Sequence, residues 1–173
     1  MANYIPISTV TVGNGGAATI AFNNIPQTYT DLVIKVSART AYTAGSYGDG
    51  LYISFNSTTT GYTYRFLQGY DTSTQSSSGS TQTTGLIPDD AAAQTANVFS
   101  NNEIYIPNYT SGSNKTFSSD NVVEKNGTTN WVASMYAMLW SNTAPITSIS
   151  LTSANASTFK QYSTATLYGI RKY

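Results

Sequence analysis

The sequence predicts an all-β protein, an antiparallel β-sandwich of jelly-roll-like architecture, and three observations predict it. Apolar residues alternate with polar ones in short runs across most of the chain, as in Leu32, Ile34, Val36 and Ala38 against Val33, Lys35, Ser37 and Arg39. The runs are separated by Gly, Ser, Thr and Asn, residues that favour turns. No stretch carries a convincing amphipathic helical period. About nine or ten short strands with polar turns suit a double-sheet fold.

In chain order, Tyr4 to Val12 reads as a strand whose apolar phase slips. Ile5 and Ile7 share one parity and Val10 and Val12 the other, so a bulge or a change of sheet is expected near Ser8–Thr9. Pro6 lacks an amide donor and places this strand at an edge. The turn Gly13-Asn14-Gly15-Gly16 then leads into Ala18, Ile20 and Phe22, which reads as a hairpin. After the Leu32–Ala38 strand come Leu51, Ile53 and Phe55, then Tyr62, Tyr64 and Phe66.

Residues 69–85 are rich in Ser, Thr and Gln and are expected to be a long polar surface loop within a single domain spanning 1–173. Asp89 to Ala96 suits one short helical turn. Glu103–Pro107 and Thr116–Glu124 read as strands. "WVASMYAMLW", Trp131 to Trp140, is apolar on both parities; a strand buried on both faces fits, with a helix as the alternative. Ile146–Leu151 and Thr164–Ile170 complete the set.

Composition narrows the function. Charged residues are only 9%, yet 14 Tyr, 6 Phe and 2 Trp supply enough apolar surface for a core and argue against disorder. Eight bases cancel eight acids, so no basic footprint for nucleic acid is present. The chain has no Cys and no His, which removes disulfides, thiolate metal sites and the commonest general base. No apolar run approaches the roughly 20 residues that span a bilayer, and no export signal opens the sequence, so neither a membrane partner nor Sec-type export is expected.

Chemical motifs mostly dissolve on inspection. Gly13-Asn14-Gly15-Gly16-Ala17-Ala18 matches a dinucleotide fingerprint in letters, but Thr19-Ile20-Ala21-Phe22 continues as a strand where a helix N-terminus is required. Ser157-Thr158-Phe159-Lys160 and Ser119-Asp120-Asn121 echo the S-x-x-K and S-D-N strings of penicillin-interacting enzymes, in reversed order and without K-T-G. Asp89-Asp90 are adjacent and diverge in extended chain, and Asp120 and Glu124 sit near Lys125, so no converging carboxylate pair is expected. Asp49 and Asp71 lie in loops that could offer calcium oxygens, without D-x-D-x-D spacing. Neither a catalytic residue nor a cofactor is expected. The N-x-S/T strings beginning at Asn56, Asn108, Asn114, Asn126 and Asn155 follow from composition.

Two interaction readings stay open. Tyr62, Tyr64, Tyr70 and Trp140 could form flat platforms for carbohydrate, although Tyr is also a favoured strand and interface residue. Lys35 and Arg39 share the strand face opposite Leu32, Ile34, Val36 and Ala38. They are about 13 Å apart along an extended chain, too far to grip one small anion, and suit solvent-facing gatekeepers or rim contacts with a protein neighbour. Tyr4, Pro6, Lys35, Arg39, Tyr62, Tyr64 and Tyr70 are therefore the candidate partner contacts.

Three stretches, "NNIPQTYTDLVIKVSART" (Asn23–Thr40), "NEIYIPNYTSGSNKTFSSDNVV" (Asn102–Val123) and "LWSNTAPITSISLT…TFKQYSTATLYGIRK" (Leu139–Lys172), resemble virion structural proteins of tailed phages of the marine and cyanobacterial type. The closing "STATLYGI" after "ITSISL" is its most specific element, and the order of "IPQTYTDL" near the start and "STATLYGI" at the end argues against chance. The resemblance implies a β-rich, non-enzymatic protein of the virion, assembled in the host cytoplasm. It would be a capsid decoration (cement) protein or part of a tail or fibre. Its partners would be the major capsid protein and other virion proteins. A homo-oligomer is expected, with a trimer at a local three-fold axis favoured. A host-glycan-binding tail or fibre module is the alternative.

Overall fold

The computed structural model describes residues 3–44, 49–70, 72–82, 85–91, 95–123 and 132–171. Within them lie thirteen strands and no helix. They are β1 (Asn3–Thr11), β2 (Thr19–Phe22), β3 (Asp31–Ser37), β4 (Arg39–Thr40), β5 (Asp49–Phe55), β6 (Tyr62–Tyr70) and β7 (Ser73–Gln82). They continue as β8 (Gly85–Ala91), β9 (Asn101–Ile106), β10 (Lys115–Val123), β11 (Val132–Trp140), β12 (Ile149–Ser153) and β13 (Thr164–Arg171).

The larger sheet has the order β1-β13-β3-β9-β10-β11-β6-β7 and the smaller one β2-β12-β5-β8-β4. The pairings nest: β1 with β13, β2 with β12, β3 with β9 and β5 with β8, all antiparallel. Nested pairs that alternate between two facing sheets are the winding of a jelly roll. Two further antiparallel pairs, β6 with β7 and β10 with β11, extend the larger sheet to eight strands.

Period-two patterning builds the core between the sheets. Leu32, Ile34, Val36, Ile104, Ile106 and Leu167 from the larger sheet meet Ile20, Phe22, Leu51, Ile53, Phe55, Ile149 and Leu151 from the smaller, all essentially without exposure. Full burial of each such side chain contributes about 1.5–3 kcal/mol. Phe55 is the aromatic hinge of this contact, 5.0 Å from Phe117 and 5.4 Å from Trp140 between ring centroids, both edge-on.

The β1 phase slip is real. The register with β13 shifts between Pro6 and Ser8, which returns Val10 to the core side on which Ile7 also packs. β1 is an edge strand, as Pro6 requires.

Four expectations need correction. Residues 73–82 form strand β7, hydrogen-bonded to β6 at the rim of the larger sheet, and Gly85 opens β8; the polar stretch is not one long loop. An edge strand exposed on its rim needs no apolar residues, because the backbone ladder to β6 holds it. Asp89–Ala91 belong to β8 rather than to a helical turn, while 92–94 lie outside the described residues. β1 and β2 do not form a hairpin: Gly15 and Gly16, at φ +98° and +77°, carry the chain from one sheet to the other. An added Cβ on Gly16 would stand 2.7 Å from the Phe159 carbonyl. β11 is a strand buried on one face only, since Ala133, Met135 and Ala137 are exposed.

Candidate functional site

Arg39 is where the parity argument fails. The chain leaves the larger sheet after Ser37 and enters the smaller one at β4, and Ala38 between them accepts hydrogen bonds from the Ser100 amide at 2.8 Å and hydroxyl at 3.1 Å. Changing sheets resets which side faces water. Lys35 is therefore exposed while Arg39 is buried, its guanidinium donating to the Val98 carbonyl at 3.0 Å and to the Thr95 carbonyl. Arg39 is a clamp on the loop before β9 and is closed to any partner.

Tyr62 is also closed. It is fully buried, stacked 6.1 Å from Trp140, and its hydroxyl accepts the Phe55 amide at 2.8 Å. Burial pushes its phenol up to about 12. Trp140 is buried as well, so two of the four aromatic platforms considered for carbohydrate cannot meet a sugar ring. Tyr64 is half-buried in an inward cluster, 6.2 Å from Phe66 and 6.0 Å from Tyr136. Tyr70, on the same inward parity of β6, is half-buried too.

Three of the predicted contacts come together. Tyr4, Pro6 and Lys35 stand on the outer face of the larger sheet near its β1 edge. Tyr4 is 53% exposed and meets Tyr168 edge-on at 6.1 Å, and Pro6 is in register with Tyr168. The Lys35 ammonium lies 5.9 Å from the Tyr4 ring centroid and 3.2 Å from a Glu103 carboxylate oxygen. Glu103, by hydrogen bond and charge, raises the Lys35 pKa. Both partners are wet, so this pair orients the corner more than it stabilises the fold.

The same face carries residues that sequence patterning left unmarked. Leu67 and Met135 are 60% and 63% exposed and stand opposite one another on β6 and β11. Val122, 47% exposed on β10, flanks them. For Met135 the signal is "WVASMYAMLW", apolar on both parities, whose second face meets solvent rather than a core. Further along, an open trough of about 590 Å³ runs over Ser118 and Ala137 between Tyr105 and Arg65.

Buried charged groups serve the scaffold. Asp49 accepts hydrogen bonds from Ser153 Oγ at 2.6 Å, Asn155 Nδ2 at 2.7 Å and the Gly50 amide at 2.7 Å. Those bonds occupy the oxygens considered for calcium, and Asp71 lies outside the described residues. Asp31 accepts from the Tyr105 hydroxyl at 2.8 Å and the Asn108 amide at 3.0 Å. Lys115 donates to the carbonyls of Ser111 at 2.7 Å and Ser113 at 2.5 Å, and desolvation lowers its pKa. Ser119 and Asn121 face inward and bond to each other, whereas Asp120 between them faces out.

The chain matches no protein-family model, no curated protein and no solved structure.

Proposed function

We propose that this chain is a non-enzymatic virion structural protein, a capsid decoration (cement) protein that binds the outer shell between neighbouring capsomers. The observation that carries the reading is the use made of buried charge. Among the described residues, Asp31, Arg39, Asp49 and Lys115 are all spent on fixing loops and strand ends. What the fold leaves to solvent is a broad sheet face with exposed tyrosine, leucine and methionine.

Such a protein acts by burying surface against its neighbours. Binding that is available only in the assembled shell stabilises that shell by mass action. The Tyr4–Pro6–Lys35 corner is the contact assigned to the major capsid protein. It offers an aromatic anchor beside a charge already oriented by Glu103, and aromatic residues are enriched at interface cores. Near-zero net charge removes the long-range repulsion that would oppose dense packing of copies on a shell.

Cosedimentation of the purified protein with expanded capsids tests this reading. Saturable binding, weakened when Tyr4 is replaced by Ala, is expected. Recovery on tail or fibre fractions with none on capsids would overturn the capsid assignment.

A further inference from the structure

We infer that the outer face of the larger sheet, over β10, β11 and β6, pairs with the same face of a second copy of this chain about a two-fold axis lying in the face. This goes beyond the capsid reading and does not depend on it.

Four residues carry the inference. Met135 and Leu67 are directly opposed on neighbouring strands, and each is more than half exposed, an unusual placement for two large apolar side chains in contact range. Asp120 on β10 is in register with Met135, on the side away from Leu67. Arg65 stands two residues along β6 from Leu67, on the same outward parity. Neither Asp120 nor Arg65 has an ion-pair partner among the described residues. One acid and one base thus flank an apolar pair, all pointing away from the core.

Their spacing is self-complementary. With strands about 4.8 Å apart and a rise of about 3.4 Å per residue, Asp120 and Arg65 lie about 12 Å apart across the face. A two-fold axis in the face that exchanges Asp120 of one copy for Arg65 of the other passes between Met135 and Leu67, about 2 Å from each. Each Met135 then lands beside the other copy's Leu67, and the Asp120–Arg65 pair is made twice. The strands of the two copies cross at about 70°, close to the orthogonal class of sheet packing. An isologous interface of this kind closes at two copies.

A charge swap tests the pairing. Sedimentation equilibrium of the full chain over a concentration series should show a monomer–dimer equilibrium. Asp120→Arg and Arg65→Asp should each weaken it about tenfold or more, because like charges then meet twice per dimer. The variant carrying both changes should recover dimerisation to within about threefold, since the swapped charges again pair. Both sites are solvent-facing, and circular dichroism of each variant checks that the fold is retained. A chain that stays monomeric to its solubility limit would overturn the inference. So would a dimer indifferent to both single reversals, or a double reversal no better than either single one.

Discussion

Tyr29 lies directly on Gly169. A Cβ built on that glycine would stand 2.3–2.5 Å from three atoms of the Tyr29 ring, so only glycine permits the approach. The guanidinium of Arg171 caps the ring at 5.3 Å, and the Thr30 amide donates to the Ile170 carbonyl at 2.8 Å. The contact joins "IPQTYTDL" to "STATLYGI" and gives their pairing a packing reason. Gly169→Ala should destabilise the fold by about 1–3 kcal/mol through overpacking. Combining it with Tyr29→Ala should cost less than the sum of the two single changes, because the clash is gone. Chemical denaturation of the four proteins in that cycle checks it.

Tyr62 links the sheets through a single polar contact. Its hydroxyl takes the Phe55 amide at 2.8 Å inside an otherwise apolar aromatic cluster. Tyr62→Phe keeps the ring and orphans that donor, so unfolding free energy should fall by about 1–3 kcal/mol with the secondary structure unchanged. A neutral result would mean that water reaches the amide.

Arg39 and Lys35, four apart in sequence, should behave oppositely. Removing the Arg39 side chain leaves the carbonyls of Val98 and Thr95 without their charged donor, and Arg39→Ala should cost about 2–4 kcal/mol. Arg39→Lys should rescue little, because one ammonium cannot reproduce the planar fork. Lys35→Ala should leave the denaturation midpoint unmoved. Urea unfolding curves of the three variants distinguish these outcomes.

Alkali should unfold the protein early and cooperatively. Burial raises both Tyr62 and Tyr136 from about 10 to about 12, with the neighbouring Tyr64 adding to the shift at Tyr136. Both phenols are neutral below pH 10 in either state, so the folded protein has its full stability there. Between pH 10 and 12 the unfolded chain loses these protons while the folded one keeps them, and stability falls as pH rises. Thermal midpoints across that window should drop, and replacing Tyr136 by Phe should flatten the drop.

Particular residues show what the sequence could reveal. The inward set Leu32, Ile34 and Val36 and the phase slip around Ser8 were legible because a core-facing side imposes a period of two, and a bulge is what restores it, whereas burial of Val33 on the opposite face was not. β7 was not legible: "STQSSSGSTQ" contains no apolar side chain that could set a period, and its strand form follows the ladder with β6. The Gly13–Gly16 turn announced a reversal without saying which sheet the next strand would join. Strand parity makes Arg39 wet only if β3 continues two residues past Ser37, where the chain in fact changes sheet. At the β1 edge, Tyr4, Pro6 and Lys35 could be marked only singly from the sequence. Their meeting with Tyr168 and Glu103 depends on a strand order that no local pattern encodes.

Membership of a virion is decided in the particle itself. Mass spectrometry of purified virions, followed by labelling of this chain in electron micrographs, addresses it most directly. Many copies per particle are expected, with label distributed over the capsid surface. A protein found in the infected cell and absent from the finished particle would contradict it.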